Sequence, residues 1–101
     1  MKVAINKCFG GFSVSKEVYK ELGIKWDGYG YIGNDDLGIK GDNYNTYRSY
    51  PRFIEALEKV GKDKCSGSLA KVVIVEILDE IEFEIDDYDG QESIHEKHRS
   101  W

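Results

Sequence analysis

Two histidines three residues apart, His95 and His98, stand near the end of the 101-residue chain, in the stretch IDDYDGQESIHEKHRSW. Glu92 precedes His95 by three and Arg99 follows His98, so an acid, two imidazoles and a fixed cation fall close together. Three chemistries use such a set. Zinc would need two further ligands from Glu92, Cys8 or Cys65, and the chain has neither a CxxC nor an HExxH pattern, so no metal is expected. A small hydrolase would set His95 or His98 beside a carboxylate, but nothing singles out one carboxylate pair, and nucleophilic attack by Cys8 or a serine would need a histidine beside it. The third is anion recognition, in which Arg99, His98 and Arg48 donate charge-assisted hydrogen bonds to phosphate. That favours a binding protein over an enzyme, with no cofactor.

The same stretch carries local signals. Asp89 and Glu92 have capping-box spacing, which predicts a two-turn helix over 90–98 with acids at its start and Lys97, His98 and Arg99 at its end. On that helix Glu92, His95, Glu96 and Arg99 share a side, and Ile94 and Trp101 point inward. At the other end of the chain, KVAIN (2–6) reads as a strand that enters KCFGGFS, where Gly10-Gly11 demands an unusual backbone turn. Ser15 then caps a helix over 16–22 that ends at Gly23 and buries Val18, Tyr19 and Leu22. A strand, a diglycine loop and a helix start can cradle an anion on backbone amides, so Asn6, Gly10 and Gly11 join the binding set.

Between 24 and 50 the chain becomes aromatic: Trp26, Tyr29, Tyr31, Tyr44, Tyr47 and Tyr50 alternate with Gly, Asn and Asp. Residues 29–32 and 37–40 read as a β-hairpin turning at Asn34-Asp35-Asp36, a triplet without the spaced oxygens of a calcium loop. Aromatics on a polar, glycine-rich background suit stacking on a nucleobase, with Trp26, Tyr47 or Trp101 as the stacking groups; they equally suit a small core. Pro51 opens a second helix carrying Phe53, Ile54, Leu57 and Val60 at helical spacing, and Gly61 ends it. Residues 69–77, LAKVVIVEI, predict a central strand covered on both faces. Ile81, Phe83 and Ile85 then alternate with Glu82 and Glu84 as a half-buried strand.

These elements define a single α+β domain over 1–101, in the order β-α-β-hairpin-α-β-β-α, with helices packed on a mixed sheet. One modest core is all that this length allows. With 33% charged residues and one proline, the composition is that of a folded domain. No apolar run approaches the ~20 residues of a membrane span, and MKVAIN is too short for a signal peptide, so a cytoplasmic setting is expected. Two cysteines, Cys8 and Cys65, make no disulfide framework and are expected to be free. Net charge is −5, concentrated in nine acids without a lysine or arginine over 76–92, against twelve bases and nine acids over 1–75. DNA binding is disfavoured by this balance.

Read together, the two ends carry motifs: Asn6, Cys8, Phe9, Gly10, Gly11 and Phe12 with Ser15 at the helix start, and Tyr88, Asp89, Gly90, Glu92, Glu96, His98, Arg99 and Trp101 at the close. Arg48 and Pro51 supply an Arg-x-x-Pro element between them. On these residues the chain resembles a family of small uncharacterised bacteriophage and prophage proteins. Phe9 stands where tyrosine is common in that family, and Leu78 where proline is expected. The resemblance implies a phage accessory protein working inside an infected bacterium. Its expected role is counter-defence by sequestering a nucleotide-derived signal, held by Asn6, Gly10, Gly11, Trp26, Tyr47, Arg48, Glu92, His95, His98, Arg99 and Trp101. The alternative is an inhibitor that docks its acidic strand and aromatic insert on a host defence protein. For the sequestering role a homo-oligomer with the site near a subunit boundary is expected, because so small a monomer has little room for a deep pocket.

Overall fold

The structure is a computed structural model that describes residues 1–8, 10–40, 46–68, 70–77, 83–88 and 90–96. Strand β1 (Lys2–Asn6) leads through the glycine turn to helix α1 (Lys16–Leu22). After an irregular stretch come two 3-10 turns, Asn34–Leu37 and Thr46–Ser49, then helix α2 (Pro51–Val60). Strands β2 (Val72–Glu76), β3 (Phe83–Tyr88) and β4 (Gln91–Glu96) complete the described chain. The α+β class expected from the sequence is therefore the class observed.

Both helices fall where their apolar spacing put them. Gly23 adopts the left-handed conformation (φ 72°) and its N–H closes on the carbonyls of Tyr19 and Lys20, ending α1. Ser15 occupies the N-cap position, yet its hydroxyl makes no capping bond. Pro51 opens α2, whose Phe53, Ile54, Ala56 and Leu57 are buried. Together with Val14, Val18, Tyr19 and Leu22 they form the greater part of the core. An ion pair between Lys59 and Glu21 (2.8 Å) ties the two helices at the surface.

The strands depart from expectation in three ways. First, among the described residues two two-stranded antiparallel sheets replace one mixed sheet: β1 pairs with β2, and β3 with β4. Among the described residues β2 is accordingly not a central strand, and Val73, Ile74 and Val75 are half-buried. Second, residues 29–32 and 37–40 form no hairpin. Asp27 and Asp36 offer the backbone local side-chain partners, which compete with a strand ladder and fold the stretch into a tight loop and a 3-10 turn. Third, the C-terminal helix expected over 90–98 is strand β4. Asp-Gly is also a hairpin signal, and Glu92 and Ile94, two apart, fall on one face of a strand. Tyr88 pairs with Gln91 across a two-residue connection, and Ile85 lies opposite Ile94.

Candidate functional site

Asn6, Tyr47, Arg48 and Glu92, all expected to bind a ligand, are bonded to one another. Arg48 is 5% exposed and Glu92 4%. The guanidinium grips the carboxylate with both forks, Nη1 to Oε1 at 2.6 Å and Nη2 to Oε2 at 2.7 Å. Its Nε donates to the Tyr47 hydroxyl (2.7 Å), and its Cζ lies 3.7 Å from the centre of the Phe12 ring. Burial opposes this charge, but the bonds to Glu92 and the negative groups around it outweigh burial and hold the Arg48 pKa above its ordinary value.

The pair also completes β1. One edge of that strand is taken by β2; on the other, the Asn6 N–H donates to Glu92 Oε1 (2.7 Å) and the Ala4 carbonyl accepts from Arg48 Nη1 (3.2 Å). Two side chains thus do what a third strand would do for buried backbone groups. The Asn6 amide adds a further clamp, donating to the carbonyls of Cys8 and Gly90 (both 2.6 Å) and accepting from the N–H groups of Cys8 and Lys71. Gly90 packs directly on the amides of Gly10 and Gly11, so closely that a Cβ there would overlap them. Tyr47 is buried against Phe12 and Phe53. Asn6, Gly10, Gly11, Tyr47, Arg48 and Glu92 therefore come together, but as an internal clamp that fastens the β3–β4 hairpin to β1.

His95 lies apart, exposed on β4, with its Nε2 2.8 Å from Asp86 Oδ2 and 3.4 Å from the Ser93 hydroxyl. His98, Arg99 and Trp101 lie outside the described residues. Cys8 is exposed and Cys65 buried, both as free thiols, and burial raises the Cys65 pKa. Among the described residues no three His, Cys, Asp or Glu side chains gather as metal ligands.

Of the expected set, Trp26 opens onto a cleft. Three stretches build it. Residues 13–15 run beside 65–67, joined by Ser15 N–H to the Cys65 carbonyl and Gly67 N–H to the Ser13 carbonyl. The Val14 N–H donates to the Gly30 carbonyl at 2.9 Å and draws the aromatic loop against them. Gly30 must be glycine there, since its φ is +91° and a Cβ would strike the Val14 carbonyl. Asp27 then fixes the loop: Oδ1 accepts from the N–H groups of Tyr29 (2.7 Å) and Gly30 (2.6 Å), and Oδ2 from Tyr31 (3.1 Å). These bonds, Gly30 first, hold its carboxyl below the usual carboxylate range.

The loop displays Tyr29 and Tyr31 as a stacked pair, 6.2 Å between centroids and 19° between planes, at 74% and 60% exposure. The cleft beside them has a volume of about 370 Å3. Its walls include Trp26, Lys16 and the serines Ser13, Ser15, Ser66 and Ser68. The Ser15 hydroxyl is buried and has no hydrogen-bond partner among the described residues. Flat rings can stack here, and hydroxyls with one lysine can take a phosphate or sugar. Sequence reasoning marked the aromatics of this loop but committed to Trp26 and Tyr47. The signal that separates Tyr29 and Tyr31 from Tyr47 is Asp27 followed by Gly28 and Gly30: an Asx-type loop places both tyrosines outside. The serines carried no such signal, because they converge only through tertiary pairing.

The chain matches no protein-family model, and no curated protein or solved structure is significantly similar to it. Its function has to be argued from its own geometry.

Proposed function

We propose that the chain is a phage-encoded accessory protein that counters host defence by binding, without turnover, a nucleotide-derived signal molecule in the infected cell's cytoplasm. The observation that carries this reading is the exposed, rigidly held Tyr29–Tyr31 stack beside a cleft lined by Lys16 and four serines. Leaving two tyrosines in water forgoes their burial, and three backbone N–H groups that donate to one aspartate keep them pre-positioned. A base would stack on the aromatics, and the lysine and hydroxyls would hold the sugar and phosphate. The resemblance to phage proteins supports the setting, and a homo-oligomer would deepen a cleft that one subunit leaves shallow.

The test is a thermal-stability screen against nucleotides, with Tyr29→Ala and Tyr31→Ala as controls. The expected result is a ligand-dependent rise in Tm that both substitutions abolish while leaving the unliganded Tm unchanged. No rise with any nucleotide refutes the reading.

A second reading, inhibition of a host defence protein, draws on the outer face of the β3–β4 hairpin. Glu84 and Asp86 are exposed there beside Tyr88, which is 74% exposed. Capture of one host protein, lost on Tyr88→Ala, would favour it.

A further inference from the structure

The serine-lined cleft has a neighbour. A second hollow of about 400 Å3 runs along α1, walled by Tyr19, Ile24, Lys20 and Glu17. Lys16 and Trp26 line both hollows, so the indole and one ammonium stand at their junction. Trp26 is braced there by an edge contact with the buried ring of Tyr19, 5.0 Å between centroids at 84°.

We propose that the ligand is a two-ring molecule, one flat heterocycle in each hollow, joined by a single phosphodiester that crosses Trp26 and is held by Lys16 and Lys20. This rests on the nucleotide-binding reading and specifies its ligand. Three observations carry it. The hollows differ in chemistry: one offers hydroxyls and stacked tyrosines, the other the apolar surfaces of Ile24, Trp26 and Tyr19. Each alone sits near the lower end of the roughly 300–1,000 Å3 of small-molecule sites, and the two together fall within its middle. Finally, Lys16 and Lys20 lie four apart on α1 and so share a face. Neither has an ion-pair partner among the described residues, whereas the Lys2 and Lys59 ammonium groups are paired with Glu58 and Glu21. Lys16, Lys20 and Glu17, the charged residues that line the two hollows, sum to +1, the complement of one phosphodiester and too little for a polyphosphate.

The experiment is calorimetric titration with adenosine monophosphate and with the dinucleoside monophosphate ApA. The expected result is at least tenfold tighter binding of ApA. Lys20→Glu and Ile24→Ser should each remove that advantage. Equal affinity for the two probes, or an ApA advantage untouched by both substitutions, overturns the two-ring proposal while the nucleotide reading stands. Binding of neither probe overturns both.

Discussion

Arg48 sets the terms at the scale of single residues. A guanidinium buried against Phe12 is tolerable only because Glu92 meets it fork to fork. Removing one partner strands the other, at a cost of about 3–5 kcal/mol, against about 5–15 kcal/mol for the whole fold of a typical domain. Arg48→Ala should therefore lower the urea midpoint sharply or prevent folding. Arg48→Lys should fall between, since an ammonium keeps the charge but loses the fork. The usual rescue, replacing both partners with apolar residues, should fail here. Arg48→Met with Glu92→Leu would leave the Asn6 N–H and the Ala4 carbonyl unpaired, at about 1–3 kcal/mol each. A double variant as stable as the parent would refute the claim that the pair completes β1. None of this was legible in the sequence, which displays Arg48 and Glu92 as a basic and an acidic residue 44 positions apart. A type and a position suggest a ligand contact; only the fold shows that each is the other's partner.

Elements with one dominant signal were readable, and those with two were not. α1 and α2 have helical apolar spacing, a start residue and a terminal glycine that all agree, and both formed as expected. At Asp89-Gly90 the capping box competes with the hairpin dipeptide, and pairing with β3 decides for the strand because it brings Ile94 opposite Ile85. That hairpin's attachment can be tested through Asn6, whose side-chain amide donates to the Gly90 carbonyl. Asn6→Asp sets a carboxylate against the carbonyls of Cys8 and Gly90, so amide exchange in β3 and β4 should accelerate before that of α1 or α2. Uniform acceleration would mean that the hairpin is not a separate unit. The aromatic loop has its own handle. The Asp27 pKa lies below its unfolded value, so its stabilisation is complete above about pH 4 and is lost as pH falls through the lowered value. NMR amide shifts of Tyr29, Gly30 and Tyr31 should titrate together in that acid range, and Asp27→Asn should flatten them.

For the molecule as a whole, binding and stability are linked, and the linkage separates a held nucleotide from a loosely attracted polyanion. A ligand that binds only the folded chain stabilises it by about 2.7 kcal/mol at one hundred times Kd. In a domain of this size each kcal/mol moves Tm by about 4–8 °C, so a saturating nucleotide should raise it by roughly 10–20 °C. Salt supplies the discrimination. The chain carries net charge −5, and the proposed site brings only Lys16 and Lys20 to the ligand. Contact with one phosphate displaces few counterions, and stacking on Tyr29, Tyr31 and Trp26 displaces none. The rise in Tm should therefore persist nearly unchanged between 50 and ~300 mM salt, because the attraction is stacking first and charge second. A shift that disappears over that range, or one reproduced by inorganic polyphosphate, would mean that the lysines act as a general anion surface. The stacked tyrosines would then have no part in recognition, and Tyr29→Ala would leave the shift intact.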